Sequence, residues 1–148
     1  MSKLARIAVE AKKQKDPNLM LKEVPYANFI GMKLITFGSE FLSHLPFSQS
    51  NVGNPLLPAL HGGVVGGFIE CSAIFTLLWK LDNSLPPKTI DFSFDYLRSP
   101  GGKDTYAMVE LVRMGGRVAN VRVSAWQDTR NKPVVVGNGN FLLKYKEE

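Results

Sequence analysis

One carboxylate and two glycines lie on a single apolar segment of the chain. Gly62 and Gly63 follow His61 directly, and Glu70 is the only charged residue of segment 62–79. The pattern of residues 62–80 predicts a helix that is apolar on all sides and therefore buried. A carboxylate among apolar side chains is costly to bury without a partner, which makes Glu70 a candidate general base or nucleophile. The alternative is a structural role, in which Glu70 binds a buried arginine or a backbone donor of a partner subunit.

The start of this helix offers a second chemical group. The first N–H groups of a helix have no partner within it, and the positive end of the helix dipole favours a developing negative charge. The N–H groups of Gly62 and Gly63 are therefore expected to be free to bind an oxyanion. His61 is expected to orient or donate to the same ligand, although a histidine beside two glycines is also typical of an ordinary loop.

The spacing of these groups predicts a dimer. Eight residues separate Gly62 from Glu70, which is roughly 12 Å along a helix axis. One helix cannot hold both groups about 3 Å from the same reacting atom. A second copy of the chain with its helix antiparallel to the first would bring its own carboxylate beside the first copy's glycine. The geometry predicts a two-fold dimer with two composite sites.

The small residues of the helix form a face around the carboxylate. Gly63, Gly66, Gly67 and Ala73 lie three or four residues from Glu70 or from one another. Another backbone or a thin substrate is expected to approach closely there. A membrane span is the alternative for the whole segment, but the glycines, the internal glutamate and the lack of a second hydrophobic segment favour a buried core helix.

Composition indicates one globular domain over residues 1–148, with a helical extension at 1–24 and a core at 25–148. A single cysteine, Cys71, excludes an internal disulfide and is expected to be a neutral, packed thiol. His44 is expected to be structural. Two histidines without a cluster of other ligands predict no metal site.

The N-terminal residues alternate basic and apolar side chains in helical rhythm, which predicts a short amphipathic helix packed on the domain. No uninterrupted apolar run typical of a signal peptide is found there, so we expect a cytoplasmic protein. The net charge of +5 comes without the pattern of a recognition helix or a basic aromatic stripe, so nucleic acid is not an expected partner. A modest positive charge suits a substrate that carries phosphates.

Alternating apolar residues predict strands on both sides of the long helix. A hairpin about Gly38-Ser39 is expected before an irregular stretch at 46–60, and a four-stranded antiparallel meander after the helix. The expected strands are Met32–Phe37, Glu40–Leu45, Thr89–Leu97, Tyr106–Arg113, Val118–Gln127 and Val134–Lys144. The predicted fold is α+β, with an antiparallel sheet wrapped round one long central helix and an additional N-terminal helix.

The chain resembles the hotdog-fold thioesterases of the PaaI type, within the 4-hydroxybenzoyl-CoA thioesterase superfamily. The resemblance covers residues 25–145, and the His-Gly-Gly triplet with a carboxylate nine residues after the histidine is its most specific part. The matching residues are Val24-Pro25-Tyr26, Gly31, Gly53-Asn54, His61-Gly62-Gly63, Glu70, Asp95-Tyr96-Leu97-Arg98 and Gly116-Arg117.

This resemblance implies hydrolysis of an acyl-CoA or related thioester in a homodimer, often within a tetramer of two dimers. The Gly62 N–H would polarise the thioester carbonyl, His61 would support that end of the site, and Glu70 of the partner subunit would act as nucleophile or general base. No cofactor is implied beyond the coenzyme A of the substrate. The family commonly has Asn or Gln six residues before the histidine to orient water, where this chain has Pro55. Asn54 is one residue away, so a bulge must restore that role.

Substrate-binding residues follow from the same resemblance. Gly63 is expected beside the carbonyl, and Val64 and Phe68 are expected to form the wall of the acyl pocket with residues 46–60. Basic side chains at strand ends and turns are candidates for the phosphates of coenzyme A, although solvent exposure explains each of them equally well. These are Arg98, Lys103, Arg113 and Arg117.

Three functions therefore remain open. The favoured one is an acyl-CoA thioesterase. The second is a non-catalytic acyl-CoA binding module on the same fold, suggested by Pro55. The third is a hotdog dehydratase or hydratase, which would also use a histidine and a carboxylate, but across a carbon–carbon double bond.

Overall fold

The structure is a computed structural model that describes residues 1–82 and 85–143. Its helices include one at the N-terminus, where one was predicted, and one over the predicted apolar segment. A short α-helix and two 3-10 helices between them were not predicted, because each is only three to seven residues long. The α-helices are α1 (Lys3–Gln14), α2 (Pro25–Ile30) and α3 (Gly62–Lys80), and the 3-10 helices are Pro17–Glu23 and Gln49–Asn51.

Helix α3 is the centre of the hydrophobic core. Phe68, Ile69 and Phe75 are buried along it, and Ala8 of α1 and Met20 of the 3-10 helix belong to the same core. By length and composition alone α3 could cross a membrane, but 56% of the relevant window is buried within the fold. This burial of α3 is typical of the core helix of a globular domain. The place of Ala8 in the same core agrees with the prediction that α1 packs on the domain.

Six strands form one antiparallel sheet that packs around α3, in the order β1-β2-β6-β7-β8-β5. A separate two-stranded ribbon of β3 and β4 lies within the stretch that was expected to be irregular. The strands are β1 (Lys33–Phe37), β2 (Glu40–Leu45), β3 (Val52–Asn54), β4 (Ala59–Leu60), β5 (Lys88–Tyr96), β6 (Thr105–Met114), β7 (Val118–Trp126) and β8 (Val135–Leu142). The predicted sheet wrapped round a central helix is confirmed.

The predicted meander of four strands is wrong for β5. This strand pairs with β8 and not with β6, so only β6, β7 and β8 form a meander. Glycines in β8 make room for the aromatic residues of β5, since a Cβ atom at Gly137 would lie 2.9 Å from the ring of Phe92. Such pairing between strands far apart in sequence leaves no local signal. The predicted end of the last strand at Lys144 lies outside the described residues.

Candidate active site

His61 caps the N-terminus of α3. Its Nδ1 accepts a hydrogen bond from the Gly63 N–H at 2.9 Å, so the neutral ring carries its proton on Nε2. The Gly62 N–H has no hydrogen-bond partner among the residues that the structure describes. The expectation that both N–H groups are free is therefore wrong for Gly63, because the histidine side chain folds back onto the helix start. Gly62 keeps a free donor at the positive end of the helix dipole.

Tyr96, at the end of β5, lies against this first helical turn. Its Oη donates a hydrogen bond to the carbonyl oxygen of Gly62 at 2.5 Å. Burial raises the pKa of Tyr96, which keeps the hydroxyl protonated and able to donate. Arg98 borders the same space. The pocket has a volume of about 390 Å³ and is lined by Leu60, Gly62, Tyr96, Arg98, Ser99 and Pro100.

Glu70 lies half-buried in the middle of α3. Its Oε1 accepts a hydrogen bond from Thr89 Oγ1, at the start of β5, at 2.9 Å. No ion pair to Glu70 is present within residues 1–82 and 85–143. The carboxylate therefore does not neutralise a buried arginine of its own chain, which was the structural alternative within one subunit.

Cys71 is a neutral thiol, as predicted. Burial raises its pKa to about 11, and the neighbouring charge of Glu70 adds to this effect. A thiol with such a pKa is almost entirely protonated at neutral pH and is a poor nucleophile.

Strand β5 runs alongside α3 in the opposite direction. Its end meets Gly62 through Tyr96, and its start meets Glu70 through Thr89. Because α3 is continuous between these points, the two helical residues are about 12 Å apart along its axis. A single chain does not bring the free N–H and the carboxylate to one reacting atom.

The small-residue face of α3 is partly covered by the chain itself. A Cβ atom at Gly66 would lie 2.7 Å from Phe94 of β5, and one at Gly67 would lie 2.7 Å from the ring of Tyr26. The expectation that another backbone or a thin substrate approaches closely at this face is therefore wrong at Gly66 and Gly67. The two glycines make room for aromatic rings of the same chain. The sequence pattern alone does not distinguish glycines that contact such rings from glycines that contact another backbone or a substrate. Gly63 remains exposed.

Asn54 lies at the end of β3, on the ribbon that flanks His61. The ribbon has a register shift between Val52 and Asn54, as the bulge hypothesis requires. The side-chain oxygen of Asn54, however, accepts a hydrogen bond from the Leu56 N–H at 3.0 Å. This local turn engages the side-chain oxygen that the water-orienting role would use.

Phe68 does not form an accessible wall of an acyl pocket. It is 0% exposed and lies on the side of α3 that packs in the core. Val64 is half-buried near the open end of the helix and stays a candidate wall residue. A helix that is apolar on all sides gives no periodic signal for the facing of each residue, so the sequence did not separate these two.

The basic residues predicted to bind phosphates lie in two different places. Arg98 follows the end of β5, whereas Arg113 and Arg117 lie at the turn between β6 and β7. Val118, next to that turn, pairs with Leu142 of β8, and Leu142 also pairs with Lys88 of β5. The turn therefore lies at the level of Lys88, eight residues from Tyr96. The separation is about 26 Å along the strands. Of Arg98, Arg113 and Arg117, only Arg98 lies beside Gly62 within one chain.

The outer face of the sheet carries the other histidine. His44 Nε2 donates to Asp104 Oδ2 at 2.9 Å, and its ring stacks on Tyr106 with 4.6 Å between centroids. The pKa of Asp104 is lowered, chiefly by a hydrogen bond from the Phe47 N–H and also by His44. These contacts agree with the structural role predicted for His44. No group of three metal-ligating side chains is found in the described part of the chain.

A larger cavity, of about 480 Å³, lies against β6 and β7, and none of the predicted site residues lines it. Lys80, Arg122 and Trp126 are among its walls. We therefore place the candidate site at the N-terminus of α3, where a free donor, a pocket and a basic side chain meet, and not in the larger cavity.

Sequence reasoning missed three contacts around the site. Tyr96 was part of a recognised motif but had no role assigned to it, and Thr89 was seen only as the start of a strand. Tyr26 packs on Gly67, and its pKa is raised by burial and, to a smaller extent, by Cys71. In the alternating pattern of β5, Tyr96 lies on the same face as Phe94. This was the one signal in the sequence for the contact between Tyr96 and α3.

Comparison with known proteins supports the resemblance. No model of a protein family matches the chain, and no curated protein matches it. A protein of known structure from Chromobacterium violaceum is 36% identical, with a TM-score of 0.78, and the match covers 95% of this chain and 98% of that one. The chain belongs to the same family as that protein.

Proteins of known structure with lower sequence identity share the fold. A thioesterase from Haemophilus influenzae is 18% identical with a TM-score of 0.70, and the match covers 82% of this chain and 84% of that one. A mutant of the phenylacetic acid degradation protein PaaI from Thermus thermophilus is 18% identical with a TM-score of 0.65, with coverages of 80% and 97%. The predicted hotdog fold, an antiparallel sheet wrapped round one long helix, is thereby confirmed.

Proposed function

We propose that this hotdog-fold protein is a thioesterase that hydrolyses an acyl-CoA or related thioester between two copies of the chain. The observation that carries the proposal is the free Gly62 N–H at the start of α3, with the half-buried Glu70 on the same helix. The distance of about 12 Å between them requires a second subunit to complete the site. A structure that shares the fold carries the name thioesterase, and this supports the proposed function through the fold alone.

Strand β5 is the surface on which we expect the second copy. It pairs with β8 on one side, and among the described strands none pairs with its other side. Eight of its nine residues are exposed, and Ile90 is 56% exposed. A long apolar edge strand of this kind is a template for pairing with another chain.

An antiparallel pairing of two β5 strands would complete the site. With Thr89 of one chain opposite the partner's Tyr96, and with the register shift between Thr89 and Asp91 taken into account, the two copies of Ser93 lie opposite each other at the two-fold axis. Because Thr89 holds Glu70 and Tyr96 holds Gly62, this register brings the partner's Glu70 toward the free N–H of Gly62. A dimer of dimers is a further expectation of the resemblance.

The proposed reaction uses these groups in turn. The Gly62 N–H donates to the thioester oxygen and stabilises the negative charge of the tetrahedral intermediate. The partner's Glu70 takes a proton from water as the water oxygen bonds to the carbonyl carbon. The carbon–sulfur bond then breaks, and the leaving sulfur takes the proton from Glu70. The acid and a free thiol are released, and the carboxylate is restored. A direct attack by the carboxylate, with an anhydride intermediate that water hydrolyses, uses the same geometry.

The remaining expectations belong to this proposal. Arg98 would contact the phosphates of coenzyme A, because it borders the pocket of Gly62. The protein would act in the cytoplasm, without a cofactor other than the coenzyme A of its substrate, and without nucleic acid or membrane as a partner.

A non-catalytic acyl-CoA binding module is the second candidate. It is favoured by Pro55 at the usual position of the water-orienting side chain and by the bond between Asn54 and the Leu56 N–H. Such a module would bind thioesters in the same pocket and release no thiol.

Thiol release from benzoyl-, phenylacetyl-, short-chain and long-chain CoA esters tests the proposal. Turnover by the wild type that disappears in Glu70→Gln supports it, with Glu10→Gln on the exposed face of α1 as a control. Saturable binding without turnover by the wild type supports the binding module. Loss of enoyl-CoA absorbance without free thiol would instead indicate a hydratase.

A further inference from the structure

Two hydrogen bonds meet at one peptide group at the start of α3. Tyr96 Oη donates to the carbonyl oxygen of Gly62 at 2.5 Å, and the N–H of Gly63 donates to His61 Nδ1 at 2.9 Å. The carbonyl oxygen and this N–H belong to the same peptide bond, whose atoms are conjugated. The tyrosine hydroxyl and the imidazole are therefore connected through the Gly62–Gly63 peptide.

Hydrogen bonds that are linked through one peptide group strengthen one another. A donor on the carbonyl oxygen polarises the peptide and makes its N–H a better donor, by roughly 10–30% per bond. A stronger bond from Gly63 stabilises the unprotonated Nδ1 of His61. The ring then carries its proton on Nε2, which has no partner among the residues that the structure describes.

The structure holds Tyr96 in place for this contact. Its ring packs edge-on against Phe94, with 5.6 Å between centroids, and its backbone pairs with Val135 of β8. A Cβ atom at Gly62 would lie 3.1 Å from Tyr96 Oη, so a glycine allows the hydroxyl to reach the carbonyl oxygen. The contact thus depends on the packing of the Tyr96 ring and on the absence of a side chain at Gly62.

We propose that Tyr96 is a positioning residue that fixes the orientation and the Nε2–H tautomer of His61 through the Gly62–Gly63 peptide. In the proposed thioesterase, on which the catalytic meaning of this inference rests, the Nε2–H is then a fixed donor beside the Gly62 N–H. The effect on His61 itself does not depend on the reaction that the protein catalyses.

Nitrogen NMR of ¹⁵N-histidine-labelled protein tests the inference directly. The chain has two histidines, so His44, which is bonded to Asp104, is an internal control, and His44→Gln assigns the signals. We expect the wild-type His61 to show an unprotonated Nδ1 and a protonated Nε2. In Tyr96→Phe, the two His61 nitrogen shifts should move toward each other as the second tautomer becomes populated, while the His44 shifts stay fixed. His61 shifts that are unchanged in Tyr96→Phe would overturn the proposal.

Kinetics give the second readout. Tyr96→Phe should lower kcat about three- to tenfold, the worth of one neutral hydrogen bond, with KM nearly unchanged. Tyr106→Phe, on the outer face of the sheet, makes the same chemical change away from Gly62 and should leave both constants and the His61 shifts unchanged. A lower kcat with unchanged His61 shifts contradicts positioning through the peptide. If no ester is hydrolysed, the proposed function fails, and the NMR shifts still decide the role of Tyr96.

Discussion

Thr89 Oγ1 donates a hydrogen bond to Glu70 Oε1 at 2.9 Å, and this contact joins the start of β5 to the middle of α3. Tyr96 makes the corresponding contact at the other end of the strand, with Gly62. One edge strand therefore contacts both chemical groups of the candidate site, which lie too far apart to act together within one chain. Changes in β5 are expected to affect activity where they remove a contact with α3, and assembly where they alter the unpaired edge of the strand.

Thr89→Val should leave the fold and the dimer intact and lower kcat about tenfold. The substitution keeps the size of the side chain but removes the donor that orients the carboxylate, and a hydrogen bond to a charged group contributes about 1.5–3 kcal/mol. Thr36→Val, on the opposite edge strand β1, is the matched control. An unchanged kcat in Thr89→Val would show that this hydrogen bond does not orient a catalytic carboxylate.

Ser93 variants test the proposed pairing of β5 strands. In the proposed register the two copies of Ser93 are neighbours across the two-fold axis, so Ser93→Lys or Ser93→Glu alone should weaken the dimer by charge repulsion. A mixture of the two variants should recover dimers, because opposite charges then meet. Sedimentation velocity measures the outcome. Dimers of equal strength in all three samples would place the interface elsewhere.

Gly66→Ala should destabilise the protein by about 1–3 kcal/mol, because the new Cβ atom would lie 2.7 Å from the Phe94 ring inside the fold. Gly116→Ala is the matched control, since it has open space and should change the free energy of unfolding by less than about 0.5 kcal/mol. Urea unfolding at one fixed protein concentration compares them. Equal stability of the two variants would contradict the packing of β5 on α3.

Cys71 should react slowly with iodoacetamide. Its pKa of about 11, against an ordinary value of 9.0, lowers the thiolate fraction about a hundredfold at pH 8. The rate should still be rising steeply at about pH 10, and Glu70→Gln should react faster because it removes the neighbouring negative charge. Urea-unfolded protein provides the reference rate. A rate that levels off at about pH 10 in the folded protein would disagree with the raised pKa.

Arg98→Gln should raise KM about tenfold for a CoA ester and leave KM unchanged for the same acyl group on N-acetylcysteamine, which has no phosphates. A hydrogen bond between charged partners accounts for a change of this size. Arg113→Gln, at the far end of the sheet, tests whether that region contributes. An equal rise in KM for both substrates would mean that Arg98 does not contact phosphates.

Local patterns predicted much of the fold, but not the contacts between distant elements. The apolar run at 62–80 predicted α3 to the residue, and alternation predicted the six strands of the large sheet to within two residues wherever the structure describes them, but not the β3–β4 ribbon. The position of β5 beside β8 depends on Phe92 fitting over two glycines about 45 residues later in the chain, which no local pattern encodes.

The candidate site shows the same division. His61, Gly62 and Glu70 were found because residue type and spacing are visible in the sequence. The cap on Gly63 and the burial of Phe68 were not, because they depend on a side-chain rotamer and on the facing of an evenly apolar helix. Tyr96 and Thr89 act through contacts with α3 that only the packed structure reveals.

Mixing two inactive variants tests the composite site most directly. Glu70→Gln removes the carboxylate, and Gly62→Pro removes the N–H at the first helical position, where proline is tolerated. After unfolding and refolding an equal mixture, half of the dimers are heterodimers with one intact site, so thiol release should return to about a quarter of the wild-type rate. A mixture as inactive as its two components would contradict a site shared between Gly62 of one subunit and Glu70 of the partner subunit.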